Sequence, residues 1–123
     1  MNLPKILKVA REASLKSKHI AHRLGCVITD SKGRIYAKGY NSMEKTHPSS
    51  ATMFRTLHAE AATILSIRHK TDFTKLQLFV YREYFDGKPA LSKPCEHCLQ
   101  LIKNYGIKVI WYTTSNGLVK EVL

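Results

Sequence analysis

Between residues 76 and 113 the chain runs "LQLFVYREY", then a polar loop "FDGKPALSKP", then "CEHCLQLIKNYG", then "IKVIWYTT". The outer two are β-rich apolar runs. The third stretch carries apolar residues at helical spacing and stops at Gly106, the residue type best suited to a left-handed helix end. Strand, helix and strand joined by so little chain leave few arrangements. The two strands lie parallel, with the helix as their crossover, right-handed by the general rule. Helices interleaved with strands imply an α/β sandwich with a mixed sheet, which the remaining chain must complete.

It has the patterns to do so. "LPKILKVAREASLKSKHIAH" places Ile6, Leu7, Ala10 and Ala13 at helical intervals with lysines between, an amphipathic helix with a basic, solvated outer face. "LGCVITD" and "GRIYAKGYN" flank the turn "DSKG" and read as a hairpin. "NSMEKTHPSSATMFRT", polar and containing Pro48, reads as a loop, and "LHAEAATILSIRHK" as a helix with Ala61, Ile64, Leu65 and Ile67 on or near one face. After the last strand, "TTSNGLVKEVL" is at the lower limit for a crossover of a dozen or more residues, so an antiparallel closing hairpin is expected. The order α-β-β-α-β-α-β-β predicts an α/β fold: a three-layer α/β/α sandwich with a mixed five-stranded sheet.

With 123 residues, no repeat and no Pro/Gly-rich linker, one domain over 1–123 is expected. At 44% hydrophobic residues the chain can bury a core without disulfide staples. Its three cysteines are an odd number, no apolar run follows "MNLPKILKVAREASLKSKH", and no stretch suits a membrane span. The expectation is a reduced, cytoplasmic protein without a membrane partner, with Cys26 a small buried residue inside a strand. Twenty Lys and Arg against nine Asp and Glu give a net charge of +11. That favours an anionic partner, whether nucleic acid, nucleotide phosphate or acidic surface. The lysines are dispersed, so charge does not choose between mononucleotide and polynucleotide.

Cys95 and Cys98 stand one helical turn apart, within reach of a single ion. Pro94 suits a helix start, and a helix N-terminus stabilises the thiolates that bind metal. A zinc finger needs a second short ligand cluster, and the sequence has none. Of His19, His22, His47, His58, His69 and His97, the last would point away from the cysteine pair, and only His58 begins a helix beside a carboxylate, in "HAE". Singly, a helix-start histidine is usually a cap, a CxxC often redox or structural, a glutamate usually a solvated face. Together and in order, they point to three ligands and one open position, the catalytic arrangement of zinc.

"HAE" and "PCEHC" match the zinc deaminase signature H-x-E…P-C-x-x-C. Over nearly its whole length the chain resembles the cytidine deaminase-like superfamily: "HRLGCVITDSKGRIYAKGYN" its first hairpin, "LHAEAATI" its first zinc helix, "KPCEHCLQLIKNYGIKVIWY" its second zinc helix and following strand. The resemblance implies zinc held by His58, Cys95 and Cys98, with Glu60 as proton shuttle in the hydrolytic conversion of cytosine to uracil. It also implies a sugar contact from Asn41 and a backbone N–H at Ala59 for the pyrimidine carbonyl. Loop 41–57 resembles those of compact phage and bacterial deaminases of the deoxycytidylate type, and its Lys45, His47 and Arg55 are candidates to meet a phosphate. His47 and, before the cysteines, Lys93 complete the expected substrate contacts. Tyr81, Arg82, Tyr84 and Phe85 interleave base-stacking and basic side chains, although Phe79 and Tyr81 equally suit a strand core.

Three readings follow. The substrate is a free cytosine nucleoside or nucleotide; or it is cytosine in single-stranded nucleic acid; or the chain is a non-catalytic zinc-stabilised binding module, against which Glu60 argues. Relatives range from monomers to tetramers, so a homo-oligomer is compatible with the resemblance.

Overall fold

A computed structural model describes residues 1–18, 22–42, 58–67 and 72–123 of the protein. Its elements are α1 (Leu3–Ser14), β1 (Leu24–Asp30), β2 (Ile35–Tyr40), α2 (Ala59–Ile67), β3 (Leu76–Arg82), α3 (Glu96–Tyr105), β4 (Val109–Thr114) and β5 (Gly117–Val122). The order is the expected one. A 3-10 turn, Phe73–Lys75, was not foreseen; Asp72 caps it by accepting the Thr74 N–H at 3.0 Å. Lys45, His47, Pro48 and Arg55 lie outside the described residues.

The five strands form one mixed sheet in the order β2-β1-β3-β4-β5. β3 and β4 are parallel, from Gln77 opposite Val109 to Val80 opposite Tyr112, with α3 as their crossover. The other pairs are antiparallel, including the closing β4–β5 hairpin.

Side-chain alternation along the central strands divides the core in two. Val27, Phe79 and Tyr81 face α1, where they meet Ile6 and Ala10. Cys26, Ile28, Leu78 and Val80 face the opposite way, toward Ala59, Ile64 and Ile102 of α2 and α3. Both faces of β1 and β3 are thus covered, which is why their sequences are almost continuously apolar. Phe79 stacks on Trp111 with centroids 5.3 Å apart, so Phe79 and Tyr81 are core residues. A bulge between Ile28 and Thr29 turns β2 over: Ile35 packs on the α1 side and Ala37 on the other.

α1 ends at Ser14, so the helical pattern does not continue through "LKSK"; residues 19–21 lie outside the described residues. Its last turn tightens: the Lys16 and Ser17 N–H groups donate to the Ala13 and Ser14 carbonyls, three residues back. The helix presses directly on β1 at Gly25. A Cβ there would collide with the Ala10 carbonyl oxygen and lie 2.7 Å from the Ser14 nitrogen. At the other cover helix, Gly106 closes α3 with φ 97°, and its N–H returns to the Ile102 and Lys103 carbonyls, the helix end expected from sequence.

Candidate metal centre

The chemistry-bearing residues all sit in the first turns of α2 and α3. His58 precedes α2, and its carbonyl accepts the Ala62 N–H at 2.9 Å, which makes it the cap residue. Glu60 follows in the first turn. Cys95 is the cap of α3, extended at φ −67° and ψ 167°, with its carbonyl accepting the Leu99 N–H at 2.8 Å. Pro94 therefore stands one position ahead of the cap and not inside the helix. The Cys95 sulfur makes no capping bond, which leaves it available to a ligand. Cys98 lies one turn further in, fully buried.

Three donor atoms converge. His58 Nδ1 lies 3.1 Å from Cys98 Sγ and 3.7 Å from Cys95 Sγ. All three atoms fall within 4.8 Å of one another. Tetrahedral zinc, with Zn–N near 2.0 Å and Zn–S near 2.3 Å, separates its donors by roughly 3.5 Å. The set therefore fits zinc in both chemistry and spacing, and it leaves a fourth position open. Among the described residues this is the group of histidine, cysteine and acidic side chains arranged to hold a metal. Cys26 is buried in β1, as expected, and is not part of it.

The electrostatics suit a cation. Burial, then the negative charges of Glu60 and Cys95, pushes the Cys98 thiol up. Burial also pushes the Glu60 carboxyl up, against hydrogen bonds from its own backbone N–H and from Cys98 that pull it down. Glu60 is only 3% exposed. Burial, with the charge of His97 second, lowers His58 and so favours the neutral imidazole that ligates metal. A divalent cation among these groups, with two helix N-termini behind them, offsets the cost of burying their charge.

A cavity of about 290 Å³ opens onto this cluster and is lined by His58, Ala59, Glu60 and Cys95. Leu24 and Leu91 add apolar wall, and Arg82 and Lys93 add positive charge. Asn41 also lines it, but both ends of its amide are already engaged. Its Oδ1 accepts the Leu24 N–H at 3.0 Å, and its Nδ2 donates to the His22 carbonyl at 2.6 Å. One N–H and one lone pair remain for a ligand. Lys93 Nζ stands 3.5 Å from Glu121, so part of its charge is spent within the chain. Of the expected contacts, Asn41, Ala59 and Lys93 thus reach the cavity; His47 is outside the described residues.

Sequence reading missed what holds Cys95 in place. Beyond Val80 and Tyr112 the parallel strands separate, and residues 90–92 fill the gap. The Ala90 N–H donates to the Arg82 carbonyl at 2.9 Å, and the Ser92 N–H to that of Thr113 at 2.9 Å. Ser92 Oγ donates to the Val80 carbonyl at 2.9 Å and accepts the Thr113 N–H at 2.8 Å. Thr113 Oγ1 donates to the Ala90 carbonyl at 2.8 Å. This wedge leads directly into Lys93, Pro94 and Cys95. A serine in "ALSKP" carries no local sign of such a role.

Solved structures share the fold. Cytidine deaminase from Burkholderia pseudomallei superposes with a TM-score of 0.71 at 15% identity, covering 99% of this chain and 93% of that one. Deoxycytidylate (dCMP) deaminase from the cyanophage S-TIM5 gives 0.61 at 21% identity, covering 89% and 79%. Cytidine deaminase from Mycobacterium leprae gives 0.62 at 21%, covering 98% and 93%. In sequence, a probable deoxycytidylate deaminase of Caenorhabditis elegans is 27% identical over 121 residues, covering 88% of this chain and 55% of the relative, so the chain spans about half that protein's length. The family model of the cytidine and deoxycytidylate deaminase zinc-binding region matches residues 2–114. With that match spanning both halves of the metal site and the sheet that carries them, the chain belongs to the cytidine and deoxycytidylate deaminase zinc-binding family.

Proposed function

We infer that the protein is a zinc-dependent hydrolase that deaminates cytosine to uracil in a free cytidine or deoxycytidine nucleoside or nucleotide. One observation carries this reading: a buried carboxylate, Glu60, lies beside three converging zinc-type donors in a cavity sized for a small molecule. A purely structural zinc site has no use for that carboxylate, whose burial is unfavourable. Three free cysteines, two of them in the donor set, favour a reducing compartment such as the cytoplasm.

His58, Cys95 and Cys98 hold the metal. When bound there, zinc supplies a Lewis acid that brings the pKa of water down to about 7. Glu60 is the proton carrier. Its carboxylate takes a proton from the attacking water and passes it to the ring nitrogen next to the amino-bearing carbon. The water oxygen bonds to that carbon, Glu60 relays the second proton to the amino group, and ammonia leaves as uracil forms. Burial raises the proton affinity of Glu60, while a cation opposes it; that balance suits a group that must both take and give. Ala59 is the first residue of α2, where backbone N–H groups have no partner within the helix. One of them is available to the pyrimidine carbonyl. Asn41 and Lys93 border the same space, on the sugar and phosphate side of the reading.

The test is a substrate panel. Zinc-loaded protein is incubated with cytidine, deoxycytidine, CMP, dCMP, and single-stranded DNA and RNA, and uracil is followed by mass spectrometry. Turnover of at least one free nucleoside or nucleotide is expected. Turnover of polymers alone sinks the reading in favour of a single-strand enzyme, and none at all sinks deamination.

A further inference from the structure

The strand end that supplies Arg82 to the cavity continues into a turn bearing two exposed aromatic side chains. Tyr84 is 51% exposed and Phe85 82%. Each has a guanidinium near its ring: Arg82 lies 5.8 Å from the Tyr84 centroid and Arg23 5.6 Å from that of Phe85. Arg23, Arg82, Tyr84 and Phe85 share a small cleft of about 90 Å³ with Glu83. Arg82 lines both this cleft and the cavity over the metal site, so the two spaces adjoin.

The turn is internally tied. The Tyr84 N–H donates to the Lys88 carbonyl at 2.8 Å and the Gly87 N–H to that of Tyr84 at 2.9 Å, while Glu83 and Pro89 form a bridge. Of its acids, Glu83 is taken up by Arg11 at 3.2 Å and by the Tyr81 hydroxyl at 2.9 Å. Asp86 Oδ1 accepts the Lys88 N–H at 3.0 Å and is the one unfavourable charge for an anion. The result is a shelf of two π faces edged by two arginines, of which Arg82 also donates to the Leu91 carbonyl at 3.2 Å.

We propose that this shelf holds the nucleotide next to the target cytosine in a single strand, with its base on Phe85 or Tyr84 and its phosphate toward Arg23 and Arg82. The inference rests on the deaminase reading for the base in the cavity and extends it to substrates longer than one nucleotide. Aromatic faces accept any base, and arginines pair with the phosphates between bases. Charge complementarity selects this occupant: the shelf is cationic and the chain carries +11. DNA and RNA strands share both features, and the test separates them.

The probes are fluorescein-labelled hexamers of thymidine with one central deoxycytidine, the matching uridine–cytidine RNA, and the mononucleotides dCMP and CMP. Phe85 is so exposed that its truncation does not threaten the core. With zinc-loaded Phe85→Ala, the Kd by fluorescence anisotropy and the kcat/KM on a hexamer are expected to worsen about tenfold, the equivalent of about 1.4 kcal/mol. Turnover of the mononucleotide stays within twofold of wild type, and Phe85→Tyr restores the hexamer values. The strand type showing the larger effect is the one the shelf takes. Hexamer Kd unchanged by Phe85→Ala on both strand types overturns the proposal, and so does an equal loss on the mononucleotide. Conversion of an oligomer to a monomer by Phe85→Ala, with hexamer Kd unchanged, assigns the shelf to a second copy of the chain and also overturns it. Anisotropy reads the shelf without turnover: Phe85-dependent hexamer binding by an inactive protein supports the shelf while removing the deaminase reading.

Discussion

Replacing Ser92 with alanine tests whether the wedge at residues 90–92 sets the metal site. Ser92 Oγ receives the Thr113 N–H at 2.8 Å and donates to the Val80 carbonyl at 2.9 Å in a fully enclosed position. The hydroxyl of Thr113 survives the change, because it keeps the Ala90 carbonyl at 2.8 Å and the Arg82 N–H at 3.2 Å. The Thr113 amide does not. Deleting the hydroxyl removes the partner that Ser92 supplies to that amide, at a cost of about 1–3 kcal/mol. A loss near 2 kcal/mol moves a urea midpoint by about 1 M for a chain of this size. Unfolding is measured with zinc held at one saturating concentration, since metal bound to the folded state adds to stability. Because the wedge runs straight into Cys95, the variant is also expected to give up zinc to a chelator sooner than wild type. A midpoint shift equivalent to less than about 0.5 kcal/mol, the range of ordinary surface changes, together with unchanged zinc retention, refutes the reasoning.

Three other perturbations separate chemistry from architecture. Glu60→Gln retains zinc by elemental analysis but loses about 10²–10⁴ in kcat, the usual worth of a general acid–base; retained turnover overturns its assignment as proton carrier. Gly25→Ala drives a methyl group into the Ala10 carbonyl of α1 and is expected to cost roughly 1–3 kcal/mol, as overpacked cores do, read by thermal unfolding. Asp30 accepts the Arg34 and Lys32 N–H groups at 2.9 Å each, bonds that, with that to Arg34 foremost, lower its carboxyl below the usual range. Its contribution is therefore full above about pH 4, the ordinary aspartate value, and fades as pH falls through the lower folded value. The stability gap between wild type and Asp30→Ala should close over that acid window, and a gap independent of pH rules the carboxylate out as its source.

What was legible in the sequence is what local chemistry encodes. The β3–α3–β4 crossover could be read because Gly106 marks the end of α3 and two apolar runs bracket it. His58, Glu60, Cys95 and Cys98 each have commoner uses singly; they stand out because they occur together, in order, at two helix starts, and the structure brings the donor atoms of His58, Cys95 and Cys98 within 4.8 Å of one another. Other features depend on neighbours far along the chain. The bulge at Ile28/Thr29 arises only in pairing with β2. The Ser92–Thr113 bonds span 21 residues and exist only because β3 and β4 diverge beyond their last paired residues. Arg82 reads in sequence as a basic residue among aromatics suited to stacking on a single strand; only the end of its strand brings it into the lining of the cavity over the metal site. Asn41 shows the opposite case. A residue expected to face a ligand also ties the start of β1 to the end of β2, so its loss is expected to perturb both binding and fold.

The same geometry determines how zinc binding depends on pH. The C-terminal ends of parallel strands are where α/β folds place their ligands, and here two helices begin over that edge with thiols and a carboxyl in their first turns. Without a cation, burial and then the charges of Glu60 and Cys95 favour the protonated form of the Cys98 thiol. Zinc takes the thiolate, so it must displace that proton. His58, already lowered toward the neutral form, adds little to the dependence above its own titration. The apparent zinc affinity is therefore expected to rise about tenfold per pH unit from the Cys98 proton alone, measurable by chelator competition between pH 6 and pH 8. Cys98→Ser should flatten the slope as well as weaken binding. A wild-type affinity that stays level across that range would mean that no buried thiol gives up its proton to the metal, and the donor set would have to be drawn again.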